Sequence, residues 1–280
     1  MQDSIVDDAG SDPRRIRRGS TMGDKVTLEI RESVAVITND NPEKLNAFDD
    51  DMDLLLFQIL AELKGRKDVR AVIWRAEGDA WSSGRDVSVI GHNATALSHH
   101  DLMTRGHRGI LQVFELDIPI VVALHGWAIG GSFQRALLCD IRIAAAGTRF
   151  KLPELTYGVI PDTGGISRLY QICGPGITSD LVMTGRTMTA EEALNLGVVS
   201  RVVPREQLDD EVWGMARAVA AAPAATVKLA RKVLQHLSEP GVRASMDDEL
   251  IYQTFINKSS DFAEFKAARE EGRAPRYSGS

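Results

Sequence analysis

The chain has 280 residues, of which 44% are hydrophobic and 26% are charged. This length allows one large domain or two small ones, and the composition is ordinary for a globular protein. The 33 basic and 39 acidic residues give a net charge of −6, which argues against a dedicated nucleic-acid binder. No apolar run approaches the roughly 20 residues that a membrane helix needs. Two cysteines, Cys139 and Cys173, are too few for a disulfide framework, so we predict a cytoplasmic protein.

The first 23 residues differ in composition from the rest of the chain. They are rich in Asp, Gly, Ser and Arg and show no hydrophobic periodicity. No apolar stretch follows their arginines, as a secretory signal would require. We predict a disordered extension over residues 1–23, with a basic arm that contacts a partner as the alternative.

Ordered structure is predicted to begin with a β-hairpin. Val26–Arg31 alternates apolar and polar residues, as a half-buried strand does, and Val34–Thr38 is predicted to be its more buried partner. A helix is predicted from near Asp50, because apolar residues recur there at helical spacing and acidic residues suit a helix N-terminus. Val69–Trp74 is the next predicted strand.

The middle of the chain continues to alternate between helices and strands. Ile118–Leu124 is a continuous apolar run, which is typical of a strand buried on both faces. Helices are predicted at Leu102–Phe114 and Ser132–Leu138, a strand at Ile141–Ala144 and a short extended piece at Phe150–Leu155. This pattern indicates an α/β fold.

The last third of the chain is predicted to be mostly helical. Thr189 and Glu192 fit a capping box at the start of a short helix, which Gly197 ends. Three longer helices follow, at Pro204–Ala221, Ala224–Leu237 and Val242–Ile256. The chain therefore divides into an α/β core, residues 24–195, and a helical region, residues 196–280.

Two glycine-containing turns each follow a buried strand. One is Ala80–Val87, and the other is His125–Gly131, which leads into a helix. Small residues let backbone N–H groups approach a ligand, and a helix N-terminus adds unpaired donors. Two such turns side by side would form an oxyanion hole, which stabilises negative charge on a carbonyl oxygen. The alternative is that each turn only connects a strand to a helix.

Two carboxylates, Glu154 and Asp162, lie in an otherwise apolar segment. Partial burial would raise the pKa of such a carboxyl and make it a general acid or base. Structural roles are the alternatives. Asp162 could cap the helix that follows it, and Glu154 could form an ion pair with Arg168.

The six histidines do not have the spacing of a metal site, so no metal ligand is predicted. His107 and His125 lie near the two turns and are secondary candidates for the site. The glycines of the second turn lack the spacing of a dinucleotide-binding fingerprint.

Several motifs, in one order along the chain, carry a resemblance to a known family. They are Asn41–Phe48, the two turns, Cys139–Ala144, Pro153–Gly165 and the segment that ends in Leu196–Val199. On these motifs the chain resembles the enoyl-CoA hydratase/isomerase family, also called the crotonase family, from Val26 to Tyr277. Ordered matches over a whole chain are far more specific than a single glycine pattern.

The resemblance implies a crotonase-like spiral of ββα units, which holds the active site, with a C-terminal helical trimerisation region. It implies a homotrimer or a dimer of trimers, an acyl-CoA thioester as substrate and no further cofactor. Neither nucleic acid nor a membrane is an expected partner. The oxyanion-hole donors fall on the backbone N–H groups of Arg85 and Gly131. The residues implied in binding the substrate or its CoA part are Lys44, Leu45, Ala47, Ser83, Asp86, Val87, Gly130 and Gln134.

One departure from the family pattern bears on the reaction. Hydratases of this family use two glutamates, of which the second aligns with Glu154 and the first with Gln134. A neutral amide can orient a water but cannot accept its proton. Asp162 stands where several isomerases of the family carry a catalytic aspartate. The sequence therefore favours double-bond isomerisation, with Asp162 as principal acid/base and Glu154 as the second group.

Two other functions stay open at this point. One is an enoyl-CoA hydratase that uses Glu154 and a water held by Gln134. The other is a non-catalytic protein that binds acyl-CoA, although the presence of Asp162 argues against a loss of catalysis.

The C-terminal segment departs from the family pattern as well. Phe265, Arg269 and Gly272 stand where glycine, phenylalanine and lysine are usual. In relatives this region helps to hold the CoA nucleotide. Here CoA binding would use other basic groups, such as Lys266 or Arg273, or would be weaker.

Overall fold

The computed structural model of the protein describes residues 16–17, 24–89 and 98–279. Most of the predicted disordered extension lies outside these residues. Within it, Ile16–Arg17 forms a short strand, β1, which pairs antiparallel with β2, Val26–Arg31. The predicted hairpin is confirmed, because β2 pairs antiparallel with β3, Val34–Asn39.

A seven-stranded sheet and a three-stranded sheet hold all the strands that the structure describes. The further strands are β4 (Ala71–Ala76), β5 (Ile120–Leu124), β6 (Trp127–Ile129), β7 (Ile141–Ala145), β8 (Arg149–Lys151), β9 (Met188–Thr189) and β10 (Arg201–Val203). The large sheet has the order β1-β2-β3-β4-β5-β7-β10, and its strands from β3 onward are parallel. The small sheet has the order β6-β8-β9.

Helices cover both faces of the large sheet. They are α1 (Asp50–Lys64), α2 (His99–Glu115), α3 (Gly130–Leu138), α4 (Gly165–Thr184), α5 (Ala190–Asn195), α6 (Leu208–Ala221), α7 (Ala224–Ile256) and α8 (Ser260–Glu270). The main apolar core lies between one face and α1 to α4. On the opposite face, α6 packs through Leu208, Val212 and Ala216. Because both faces are covered, β5 is buried at every position, as its apolar sequence predicts.

The predicted α/β fold class is confirmed, and several details differ. Trp127–Ile129 is a strand and not part of a turn, because it pairs with β8. The helices predicted on either side of Pro240 form one continuous α7. Both halves of α7 are anchored in the core: Arg231 pairs with Asp140 at 2.8 Å in the first half, and Met246 is buried in the second.

The predicted N-cap of α5 is confirmed: the Thr189 hydroxyl accepts a hydrogen bond from the N–H of Glu192 at 3.2 Å. The Glu192 carboxylate, the other half of the predicted capping box, pairs with Arg186 at 2.6 Å. Cys139 and Cys173 are both free thiols. Within the described part of the chain, no helix is both long and apolar enough to cross a membrane.

Candidate active site

The two glycine-containing turns lie side by side. The N–H of Ser82 donates to the carbonyl of Trp127 at 3.0 Å, and the N–H of Ile129 donates to the carbonyl of Ser82 at 3.1 Å. The hydroxyls of Ser82 and Ser132 are 2.7 Å apart, which ties the first turn to the first residues of α3. The structure therefore brings together the two segments that the sequence pattern singles out.

Glycine is required where these segments meet. Gly84 has φ +95°, and a Cβ atom there would lie 2.8 Å from the carbonyl oxygen of Ile129. Gly130 has φ +57°, and its Cβ would lie 3.3 Å from Oε1 of Glu154. A side chain at either position would be strained and would separate the two turns or displace the carboxyl.

Arg85 and Gly131 present their backbone N–H groups at this junction. The N–H of Phe48 donates to the Gly84 carbonyl, and the Phe48 carbonyl accepts from the N–H of Asp86, each at 2.8 Å. Because successive residues of an extended segment alternate in direction, the N–H of Arg85 points away from Phe48. Gly131 is the second residue of α3, ahead of the first intrahelical N–H bond. Both residues line one cavity, so they have the placement that an oxyanion hole requires.

A cavity of about 330 Å³ opens beside these two donors. Its walls come from α1, α2, both turns, the segment before α4 and the C-terminal helices. The apolar wall residues are Phe57, Val87, Leu102, Met103, Ile110, Ile129, Val159, Ile160 and Phe262. Charged side chains share the wall with these apolar residues; they are Asp50, Asp53, Arg85, Arg105, Arg135, Glu154, Asp162 and Lys266.

Glu154 lines this cavity from the short helix Glu154–Tyr157. Its side chain is 8% exposed, and Oε1 accepts a hydrogen bond from Nε2 of Gln134 at 2.8 Å. Oε2 has no hydrogen-bond partner among the described residues. Burial, reinforced by the charge of Asp162, raises the pKa of the Glu154 carboxyl to about 7. The predicted ion pair with Arg168 is wrong, because that guanidinium donates to the Leu137 carbonyl and to Gln171.

Asp162 lines the same cavity from the loop before α4. Burial raises the pKa of the Asp162 carboxyl to about 6, although the positive charges of Arg135 and Arg85 oppose the rise. The alternative that Asp162 caps α4 is wrong, since the N-cap of α4 is Gly164 and the N–H of Gly165, its first residue, donates to Oε1 of Gln134 at 3.4 Å. The N–H of Gly164 instead donates to Glu249 at 2.8 Å.

The charge of Asp162 is one cause of the raised pKa of Glu154, so the two carboxyls interact. With pKa values of about 6 and about 7, Asp162 is mostly ionised near neutral pH and part of the Glu154 carboxyls hold a proton. An acid and a base are thus present together on one cavity wall.

Gln134 stands behind the carboxyls and does not line the cavity. It is fully buried; Nε2 donates to Glu154, and Oε1 accepts from the N–H of Thr163 at 2.9 Å. Both ends of the Gln134 amide are thus occupied in the described structure, and the prediction that Gln134 binds substrate or holds a catalytic water stays a prediction. Its amide joins the Glu154 segment to the loop that carries Asp162.

The residues predicted to bind the CoA part divide into two groups. Ser83, Val87 and Gly130 line the cavity. Lys44, Leu45, Ala47 and Asp86 do not line it, but the N–H of Ser83 donates to the Leu45 carbonyl at 2.9 Å, which places this group beside the rim. Lys44 pairs with Asp86 at 2.8 Å and holds the pKa of that carboxyl far below its usual range.

The basic side chains near the C-terminus differ in their contacts. Lys266 lines the cavity. Arg273 pairs with Glu264 and with Glu271, and Arg269 donates to the carbonyl of Val87. Of the two replacements that the sequence suggests for the missing CoA contacts, only Lys266 therefore reaches the cavity wall in the described structure.

Sequence reasoning missed two buried charged groups near the site. Arg135 lines the cavity from α3, and the one signal for it is a charge inside the apolar run Phe133–Leu138. Glu249 of α7 accepts a hydrogen bond from the N–H of Gly164. Nothing in the sequence of this long helix indicates that this acidic residue is buried. Among the histidines, His107 lines the cavity, whereas Nε2 of His125 lies 2.9 Å from the carbonyl of Gly78.

Two buried carboxyls with raised pKa values share one cavity with the two glycine-containing segments, and groups of this kind are typical of enzyme active sites. The family profile described as Enoyl-CoA hydratase/isomerase matches residues 29–279. The chain belongs to the enoyl-CoA hydratase/isomerase family, and the protein is an acyl-CoA-processing enzyme of that family. This result sets aside the non-catalytic alternative.

Known proteins resemble the chain over most of its length. A carnitinyl-CoA dehydratase of Salmonella arizonae is 34% identical over 263 residues, which cover 92% of this chain and 100% of that protein. An enoyl-CoA hydratase/isomerase from Pseudoalteromonas atlantica T6c superposes with a TM-score of 0.83 at 28% identity and covers 91% of this chain and 100% of its own. A methylmalonyl-CoA decarboxylase in complex with 2-nitronate-propionyl-CoA has a TM-score of 0.78 at 26% identity, with 91% and 99% covered.

We expect Glu154→Gln to raise the free energy of unfolding at alkaline pH. The folded pKa of Glu154, about 7, exceeds its usual value of 4.5, so the folded state binds more protons between these values. The unchanged protein therefore loses stability as the pH rises through this range. The variant should gain about 1–3 kcal/mol at about pH 8 and little at about pH 4, as measured by urea unfolding.

Glu191→Gln is the control, because Glu191 is exposed on α5 and far from the cavity wall. It should show no such pH-dependent difference. A stability gain for Glu154→Gln of equal size at both pH values would contradict the assignment, because such a gain would not come from ionisation.

Proposed function

We propose that the protein isomerises the double bond of an enoyl-CoA thioester by moving a proton along the acyl chain. The observation that carries this proposal is the position of Glu154 and Asp162 on the cavity that also receives the N–H groups of Arg85 and Gly131. Each such donor typically stabilises a developing oxyanion by about 2.7–4 kcal/mol. That stabilisation makes a carbon next to the thioester acidic enough for a carboxylate.

The proposed reaction has two proton transfers. Asp162 has the lower pKa of the pair and is the ionised base, so it removes a proton from the α or γ carbon of the acyl chain. The electron pair moves into an enolate whose oxygen lies at the two N–H donors. The protonated carboxyl then returns the proton to the other carbon, and the double bond has moved. Glu154 is the second group that can hold or supply the proton.

The position of Gln134 favours isomerisation over hydration by the paired-glutamate route. Its amide is bonded to Glu154 and to the backbone of Thr163, and it lies outside the cavity wall. No second carboxyl therefore stands at that position to activate a water. Isomerisation needs no water in the reaction.

Dehydration of a 3-hydroxyacyl-CoA, or the reverse hydration, is the second candidate. It is supported by the dehydratase name of the Salmonella arizonae relative. It is also supported by Glu154, whose Oε2 is without a hydrogen bond in the described structure and whose pKa of about 7 suits an acid for a leaving hydroxyl. In this reaction Asp162 would be the base.

We expect Asp162→Asn to abolish conversion of a 3-enoyl-CoA into its 2-enoyl isomer, with a loss of about 10³-fold or more in kcat. Glu154→Gln should lower the rate less, by about 10–100-fold, because it removes the second group and leaves the base. Chromatography of the thioester products measures both. Glu191→Gln should keep the full rate. A larger loss for Glu154→Gln than for Asp162→Asn would reverse the assigned roles.

The same assay separates the two candidate reactions. Incubation with crotonyl-CoA in water tests hydration, and incubation with a 3-hydroxyacyl-CoA tests dehydration. Slow or absent turnover of both, with rapid isomerisation of a 3-enoyl-CoA, is the expected result. Rapid hydration of crotonyl-CoA would replace isomerisation by the second candidate.

We also propose that the protein is a homotrimer or a dimer of trimers. The proposal is supported by the first half of α7, where Leu229, Val233 and Leu237 are 62%, 63% and 79% exposed. A spacing of four residues places them on one face of the helix. Full burial of one such side chain contributes about 1.5–3 kcal/mol, so a neighbouring subunit would gain by covering this face.

We expect the double variant Val233→Lys, Leu237→Lys to dissociate into monomers, because two buried ammonium groups would oppose association. Light scattering coupled to size-exclusion chromatography measures the mass. Leu194→Lys is the matched control, since Leu194 is 41% exposed but lies on α5, and it should leave the mass unchanged. A monomeric mass for the unchanged protein would refute the proposed assembly.

A further inference from the structure

Three arginines line the cavity on the side formed by α1, α2 and α3: Arg85, Arg105 and Arg135. Two aspartates of α1 contact them. Asp53 lies 3.0 Å from Nη1 of Arg85 and 2.7 Å from Nη2 of Arg135. Asp50 contacts Nη2 of Arg85 and lies 3.7 Å from Nη2 of Arg105. We call these five side chains the arginine cluster, and the proton transfer described above does not use them directly.

Arg135 is the least satisfied member of the arginine cluster. It is only 6% exposed, and its guanidinium stacks 4.3 Å over the ring centroid of Phe48. Its Nε and Nη1 have no hydrogen-bond partner among the described residues. A buried charged donor without a partner costs free energy, so these N–H groups call for an acceptor that the described residues do not supply.

The sign of that acceptor follows from the donors themselves, because a guanidinium offers only N–H groups. Within the arginine cluster three guanidinium groups face two carboxylates, and the charge of Asp162 on the same cavity wall offsets the third. The unpartnered donors of Arg135, and not an excess of positive charge, therefore indicate the acceptor. The charge of Arg135 also lowers the pKa of Asp162, but no hydrogen bond between these two side chains occurs in the described structure. Glu154 and His107 line the same cavity, and the free donors of Arg135 bond to neither of them.

We infer that the arginine cluster binds a carboxylate at the far end of the acyl group, so that the substrate is the CoA thioester of a dicarboxylic acid. The inference rests on the proposed function in that it takes an acyl-CoA as the ligand. A guanidinium suits a carboxylate because it offers several N–H donors in a plane. The methylene groups between the thioester and the carboxylate would pass the apolar wall at Phe57 and Ile110.

Binding of unreactive thioesters tests this inference without any need for turnover. CoA thioesters of saturated dicarboxylic acids of four, five and six carbons are compared with the thioesters of monocarboxylic acids of equal length, by calorimetry on the unchanged protein. We expect at least one dicarboxylic thioester to bind about tenfold or more tightly than its uncharged counterpart. Equal binding at every length would overturn the inference and leave the proposed function standing. Failure of all six thioesters to bind would contradict the proposed function itself.

Arg135→Gln shows whether the arginine cluster is responsible. It should reduce the preference for the dicarboxylic thioester by about tenfold, whereas Arg149→Gln should keep it, because Arg149 stacks on Trp127 outside the cavity wall. If the Arg135 variant fails to fold by thermal melting, Arg105→Gln replaces it and should reduce the preference by about threefold or more. A variant that keeps the preference and only shifts the pH profile of turnover would mean that Arg135 acts on Asp162 alone, which would overturn the inference.

Discussion

The site depends on the strand-like pairing of Ser82 with Trp127 and Ile129. This pairing joins two segments that are about 45 residues apart in sequence, and Arg85 and Gly131, the residues proposed as oxyanion-hole donors, line one cavity beside it. It is possible only because Gly84 has no side chain, since a Cβ there would lie 2.8 Å from the Ile129 carbonyl oxygen. Every chemical role proposed for the protein needs a polarised carbonyl at this junction.

The acid–base pair is held by a second set of contacts. Gln134 donates to Glu154 and accepts from the backbone next to Asp162, so one neutral amide fixes the separation of the two carboxyl-bearing segments. Glu249, in the C-terminal helical region, accepts a hydrogen bond from the N–H of Gly164 and so fixes the turn that follows Asp162. Burial then keeps the pair partly protonated near neutral pH. The catalytic core and the C-terminal helices are therefore linked through the loop that carries Asp162.

Much of this arrangement could be predicted from the sequence. Alternation of apolar and polar residues indicates β2, apolar runs indicate β3 and β5, and the glycine turns and the two carboxylates indicate where the site lies. These features are local, or follow from ordered motifs that resemble one family. The family and the fold class are confirmed, and the roles of Asp162, Glu154, Arg85 and Gly131 stay predictions.

The rest depends on tertiary contacts that no local pattern encodes. The hydrogen bond from the N–H of Thr163 to the Gln134 amide joins residues 29 positions apart, which no local pattern shows. The sequence predicts two separate helices at Ala224–Leu237 and Val242–Ile256, but α7 is continuous, and Arg231 and Met246 anchor its two halves in the core. The burial of Arg135 and Glu249 depends on which helices pack around them. The burial of such residues can be recognised only when their neighbours in the folded structure are known.

The central claim is that the two backbone donors and the carboxyl pair make a carbon next to the thioester acidic. Proton exchange at the α carbon of butanoyl-CoA in D2O, followed by NMR, tests it most directly, because this thioester has neither a double bond to move nor a hydroxyl to lose. We expect the unchanged protein to replace an α proton by deuterium and Asp162→Asn to do so much more slowly. Binding of butanoyl-CoA without any exchange at the α carbon would show that the donors and the carboxyl pair do not activate this carbon.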